Sequence, residues 1–292
     1  MGGSQSIPTT DTNIYNCKPS YLHLKDKYVN INTIVDTSSI DIKNHVDLRT
    51  NAPPLLDMGI IPSNVVCSVC SILHYMLVKQ NIQGFPPSRA FILYFLMKMK
   101  NTNTLNVECS IKDVFNIIED YGICPETEYQ YHTNTTDTPP DDDMLFYARK
   151  YRYINYEKVE NKLNIIKILL QQEYPLLIAF TMYQEFGRIK DTIWMPREDD
   201  QLLGGFTAVI VGFIEQKRVF IVQFPLGKHF GEHGYVLIPY EYIENPHLTF
   251  EIWKVEFDKR RVDGAQLRYE IPAARPRVEV NDTKSVFGIW ES

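Results

Sequence analysis

The sequence predicts an α+β chain of two lobes, with helices in its first half and antiparallel strands in its second. Apolar residues recur at helical spacing over 64–79, 88–100 and 111–121. Short runs rich in Val, Ile and Phe, at 175–182, 207–213, 218–223 and 234–239, are separated by turn residues and read as strands. The two kinds of element are segregated along the chain, which favours separate helical and sheet lobes over a parallel α/β sheet.

Taken in order, residues 1–45 form an N-terminal arm, because 1–20 are rich in Ser, Thr, Asn and Pro and poor in large apolar residues. Residues 46–150 form the helical lobe. Pro62 precedes its long first helix, 64–79, and either Ser63 or Asn64 is suited to cap it. Two more helices follow at 88–100 and 111–121, the second stopped by Gly122. Pro139 and Pro140 interrupt the chain before Asp141, Asp142 and Asp143. That triplet resembles a metal site, but acids in a first helical turn, answered by Arg149 and Lys150 in the last, complement the helix dipole and explain it better. Residues 151–257 hold an amphipathic helix, 160–173, and then the strands. Residues 258–292 mix Arg261, Arg268, Arg275 and Arg277 with Pro272 and Pro276 and read as a second arm.

A 292-residue chain that is 44% hydrophobic can bury a sizeable core. Its net charge of -6 excludes a basic nucleic-acid footprint at the level of the whole chain. The most apolar stretches, 91–99 and 175–182, fall far short of the roughly 20 residues that span a bilayer. Five cysteines, an odd number, with no apolar signal segment after Met1, point to a reducing, cytoplasmic setting.

Cys67 and Cys70 share a C-x-x-C spacing on the first helix. A redox pair of that spacing needs its first Cys at a helix mouth after a strand, so two small buried side chains are the better reading. His229 and His233 are four residues apart, but Gly231 and Gly234 place them in a turn rather than on a helix face, and no metal site is expected there. No cofactor is implied.

A family resemblance rests on several landmarks in colinear order over roughly 46–257. They are Val46-Asp47-Leu48-Arg49, then Pro53-Pro54, Asp57 and Gly59 before the long helix, Pro87-Ser88-Arg89, Tyr121-Gly122-Ile123-Cys124-Pro125-Glu126, Tyr174-Pro175, Leu203-Gly204-Gly205, Phe220-Ile221-Val222, Gly234-Tyr235 and Pro239-Tyr240-Glu241-Tyr242. Together they resemble the papain-like cysteine peptidases, in the branch found in bacteria and large DNA viruses. The resemblance implies a helical left lobe with a long central helix, a β-barrel-like right lobe, and a peptide cleft between them. It also implies a Cys nucleophile at the start of the central helix, a His base, an Asn that orients the His, and a Gln that helps to hold the oxyanion.

At those positions this chain carries Asn64 for the Cys, Phe206 for the His, Phe224 for the Asn and Met58 for the Gln. A carboxamide has no accessible anionic form, a phenyl ring cannot take a proton, and a thioether has no N–H to donate. The expectation is therefore a pseudoenzyme that acts as a binding or structural protein, with a protein or peptide partner and no nucleic acid. An active thiol hydrolase using an unconventional nucleophile such as Cys67 is the alternative.

Gly2 and Ser6 in Met1-Gly2-Gly3-Ser4-Gln5-Ser6 fit the N-myristoylation pattern, and a chance match in a polar tail is the competing reading. Lipidation would put the protein at the cytoplasmic face of a membrane or in a virion. A single acyl chain anchors only reversibly, with a binding constant of about 10⁴ M⁻¹. Expression in a eukaryotic cell should yield a chain lacking Met1 and heavier by one myristoyl group, and Gly2→Ala should shift it from membrane to soluble fractions. An unmodified terminus on intact-mass measurement would reject this.

Overall fold

The computed structural model describes residues 14–21, 26–34, 41–132, 138–184, 192–193 and 195–268. Gly2, Ser6 and the distal arm from 269 onward lie outside them. Helices α1 (Asn64–Lys79), α2 (Arg89–Met99) and α3 (Ile111–Tyr121) come first, followed by the short α4 (Asp142–Ala148). The central α1 is apolar on nearly every face and buried from Asn64 through Leu77, which marks a helix enclosed by its neighbours. Ser88 caps α2 by accepting from the Phe91 N–H, and Ser110 with Asp113 forms a reciprocal capping box on α3. Asp141 caps α4 and Asp142 and Asp143 fill its first turn, the acidic half of the arrangement expected there, but the helix ends at Ala148, so Arg149 is its C-cap and Lys150 lies in the following 3-10 turn rather than in the last turn of α4. Gly122 ends α3 at φ 84°, and a Cβ there would lie 1.9 Å from the Ala148 carbonyl oxygen, so only glycine fits.

The sheet contains β1 (His45–Asp47), β2 (Ile154–Lys158), β3 (Leu176–Tyr183), β4 (Leu202–Ile214), β5 (Val219–Gln223), β6 (Tyr235–Pro239) and β7 (Thr249–Phe257). Its order is β2-β7-β3-β4-β5-β6, with β1 paired to β4, and every pairing is antiparallel. Helix α5 (Leu163–Gln171) packs on β4, and α6 (Tyr240–Glu244) follows β6 directly. Helix α1 crosses the sheet at β4, β7 and β3, which brings its first turn onto the middle of β4.

Both proposed arms enter the core. Ile14, Asn16 and Cys17 are buried, with Ile14 and Cys17 packed into the main hydrophobic cluster. The short polar segment around them reads as an arm in sequence because its burial depends on partners far along the chain. At the other end, α7 (Lys259–Arg268) continues from β7 and buries Val262, so the arm boundary expected at 258 falls inside packed structure.

Residues 15–17 run alongside the start of β4. The Cys17 N–H donates to the Gly205 carbonyl at 3.1 Å, and Asn16 forms a parallel bridge with Gly205. A Cβ on Gly205 would lie 2.1 Å from the Cys17 carbonyl oxygen, so this glycine exists for close backbone approach. Gly205→Ala should therefore push residues 14–20 off β4. Limited proteolysis should cut that segment several-fold faster in the variant while β3, β5 and β7 stay protected; an unchanged cleavage pattern would mean that the segment does not depend on this approach.

Candidate functional site

The residues singled out at the heart of the resemblance converge on the seam between α1 and β4. Asn64, the first residue of α1, is fully buried. Its Nδ2 donates to the Ile14 carbonyl at 2.7 Å and to Asn16 Oδ1 at 2.6 Å. Its Oδ1 accepts from the Thr207 N–H at 3.1 Å and from Thr207 Oγ1 at 3.0 Å. Both amide protons and both acceptor lone pairs are thus used. The carboxamide joins three pieces of chain: the N-terminal segment, the central helix and β4.

This differs from the capping role expected for Ser63 or Asn64. Ser63 occupies the N-cap position, but its side chain makes no capping bond. Its hydroxyl donates to the Ile61 carbonyl and contacts Tyr131 Oη and Cys67 Sγ instead. Asn64 lies one residue inside the helix, and its amide reaches across the seam rather than back along the turn.

Asn16 extends the joint on the helical side. Its Nδ2 donates to the carbonyls of Pro62 (2.7 Å) and Val107 (3.2 Å) and to Asn106 Oδ1 (3.0 Å). Nothing in the sequence marked Asn16; only a chain that returns over residues 62, 64 and 107 gives it a role. One helical turn beyond Asn64, Ser68 Oγ donates to the Thr207 carbonyl at 3.0 Å. Thr207 is thereby held to α1 through its N–H, its hydroxyl and its carbonyl.

On the β side, Phe206 and Phe224 are fully buried and stack with ring centroids 5.7 Å apart and an interplanar angle of 22°. Phe180, directly opposite Phe206 in the β3–β4 register, meets both rings edge-on at 6.1 and 5.9 Å. Tyr15 packs on Phe206 at 6.3 Å and Phe230 on Phe224 at 5.3 Å. Aromatic rings in such tilted and offset arrangements add about 0.5–1.5 kcal/mol per pair beyond their burial. Met58 is buried beside them, its N–H donating to the Pro225 carbonyl at 3.0 Å.

Cys67 and Cys70 are fully buried. Burial pushes the Cys67 thiol up, a shift that nearby Arg89 and the Ser63 hydroxyl oppose without reversing, and burial pushes Cys70 further still. The polar groups that act on Cys67 include Ser63, Tyr131, Arg89 and Glu126. Arg89 pairs with Glu126 at 2.7 Å, lies 4.0 Å over the Tyr131 ring and donates to the Asp57 carbonyl. This cluster props the loop before α1 and gives two landmark motifs a physical reason, since Ser88 N–H donates to the Cys124 carbonyl and Glu126 N–H to that of Pro86. His229 and His233 are exposed in the turn between β5 and β6. Among the described residues no three His, Cys, Asp or Glu side chains are grouped to hold a metal ion, and no helix is long and apolar enough to cross a membrane.

The fold is similar to those of known proteins. The model of the papain family cysteine proteases matches residues 105–248, which take in Phe206 and Phe224 but not α1. A peptidase C1-like protein of Acanthamoeba polyphaga mimivirus is 26% identical over 214 residues, covering 69% of each chain. Xylellain, a cysteine protease from Xylella fastidiosa, superimposes with a TM-score of 0.77 at 23% identity, over 87% of this chain and 99% of its own. Digestive procathepsin L2 from Tenebrio molitor gives a TM-score of 0.69 at 16% identity, over 86% and 81%.

The seam should be sensitive to polarity. Phe206→His and Phe224→Asn each put a polar group among rings that offer it few partners, and each should cost about 2 kcal/mol or more, read as a lowered Tm. Asn64→Ala leaves the Thr207 N–H and the Ile14 carbonyl unpaired and should cost at least as much. Unchanged Tm in all three variants would mean that the seam is open to water and carries no stability.

Proposed function

Starting from a papain-like cysteine peptidase fold related to the papain family, we propose that this chain is a non-catalytic member of that structural class that serves as a binding or structural protein. One observation carries the reading. At the first residue of the central helix, where the fold's chemistry calls for a nucleophile, a carboxamide is buried with all its hydrogen-bonding capacity committed to neighbouring chain.

The mechanistic argument follows from what acyl transfer needs. A nucleophile must be deprotonated by a base within hydrogen-bond reach, and the base must be oriented by a third group. Asn64, Phe206 and Phe224 offer no group able to ionise, and the Met58 thioether cannot donate to an oxyanion. In an analogous hydrolase, loss of nucleophile or base alone lowers turnover about 10⁶-fold. Loss of a side-chain oxyanion donor costs a further 10² to 10³, roughly. The alternative nucleophile, Cys67, is fully buried, its thiol is pushed up, and the carboxylate near it, Glu126, is paired with Arg89.

The N-terminal segment sharpens the functional reading. Residues 14–17 lie between Pro62, Asn64 and Val107 on one side and Gly205 on the other. A peptide entering this seam would have to displace them. The partner surface on this reading is therefore elsewhere on the molecule, and the partner is a protein or peptide. An N-myristoyl group on Gly2 would bring the protein to the cytoplasmic face of a membrane or into a virion, a setting in keeping with its mimivirus relative.

Purified protein should hydrolyse no peptide in a mixed-sequence library above blank, in reducing buffer near neutral pH. Asn64→Cys should remain inactive, because Phe206 leaves the new thiol without a base. Folded-state labelling by an epoxide probe, with thiol-dependent cleavage abolished by Cys67→Ala, would overturn the reading in favour of an unconventional hydrolase.

A further inference from the structure

We infer that Cys17 and Cys109 form a built-in cross-linking site, a thiol pair that a hydroperoxide converts into a disulfide fastening the N-terminal segment to the helical lobe. The geometry comes from the backbone. Residues 16–18 run parallel to the strand-like chain at Cys109, with Lys18 N–H donating to the Cys109 carbonyl at 2.9 Å and Cys109 N–H to the Asn16 carbonyl at 3.3 Å. Those two bonds put Cys17 directly opposite Cys109 in a parallel bridge. Neighbouring strands lie about 4.8 Å apart, and opposed residues project to the same side. That spacing falls within the roughly 4.4 to 6.8 Å between Cα atoms that a disulfide requires.

The surroundings suit a closed pair. Both side chains are 3% exposed and belong to the main core cluster, and both thiols are free. Burial is the largest influence on Cys17 and holds its thiol well above the usual range, with Cys109 raising it further. The pair is therefore unreactive while residues 14–20 are seated. It becomes reactive only in the rare openings, close in free energy to unfolding, that expose the segment, and the bond is completed when the segment returns to its place. Cys67 and Cys70 differ, because both sit within one continuous helix and a bond between them would fasten nothing else.

The chemistry balances in two steps. A thiolate attacks the O–O bond of hydrogen peroxide, giving a sulfenic acid and, after proton transfer, one water. The second thiol then attacks that sulfur and expels another water, so two thiols lose two electrons and two protons and the peroxide is reduced. The product links two chain regions 92 positions apart, the long-loop case in which a cross-link restricts the unfolded chain most.

The test uses the full chain, reduced and then exposed to dilute hydrogen peroxide under native conditions, alkylated, and mapped by mass spectrometry without reduction. The expected product is lighter by two hydrogens, with one linked pair of peptides carrying Cys17 and Cys109. Its Tm should rise by about 5 °C or more and return to the starting value on reduction. The wild-type chain alone decides the matter, so it does not hinge on variants that fail to fold; Cys17→Ser and Cys109→Ser, where folded, should abolish both changes. Recovery of both thiols in alkylated form after unfolding, a Cys67–Cys70 link instead, or over-oxidation of Cys17 to a sulfinic acid would each overturn the assignment. A Cys17–Cys109 bond that left Tm unchanged would overturn the claim that it fastens the segment.

Discussion

The structure depends on one buried carboxamide. Asn64 is where the N-terminal segment, the central helix and β4 are tied, through two donated and two accepted hydrogen bonds. A buried amide with any of these bonds missing would cost about 1 to 3 kcal/mol for each group left unpaired, so the three pieces of chain must arrive together. The consequences spread outward. Gly205 lacks a side chain because residues 15–17 pass over it, Asn16 reaches three acceptors on the helical side, and Ser68 repeats the contact with Thr207 one turn further along α1.

The aromatic cluster on the other side of the joint explains why such a centre can exist without charge. A reacting cysteine and histidine need water or fixed dipoles around them, because burial penalises their ionised forms. Phe206, Phe224 and Phe180 are all fully buried and mutually packed, and the side chains of Asn64 and of Thr207, the residue after Phe206, are neutral and paired. On the functional reading proposed here, a place the fold class uses for chemistry works as an ordinary protein interior. The Cys67 thiol fits the same picture, since it lies against Ser63 in a fully enclosed position one turn beyond Asn64.

Much of this was legible in the sequence, and the parts that were not have physical reasons. Helices α1 and α3 end where periodicity and the Gly122 stop signal place them. Strand β4 starts five residues earlier than its apolar run suggests, because Leu202 to Phe206 pair with β3 despite two consecutive glycines that imitate a turn. β2 was hidden because it is a polar edge strand, and β7 because it carries buried charge. Glu251 on β7 accepts from the Ser20 backbone and hydroxyl and from Trp253, while Lys254 pairs with Glu157 and Glu256. Of these partners, Ser20 and Glu157 are distant in sequence and invisible to local pattern. The same holds for the candidate site: Met58, Asn64, Phe206 and Phe224 could be picked out by position, but the roles of Asn16, Gly205 and the segment around Cys17 emerge only when the chain is folded back on itself.

Native-state hydrogen exchange at two backbone amides tests most directly whether the seam is a permanent joint. Thr207 N–H is bonded to Asn64, and Cys17 N–H is bonded to Gly205. If the N-terminal segment is an integral part of the seam, both amides exchange only through openings close in free energy to global unfolding, together with the core amides of β3. Fast exchange at Cys17, alongside slow exchange at Thr207 and in β3, would contradict the account: the segment would then be leaving its place in the native state, and the seam would be a groove open to other occupants.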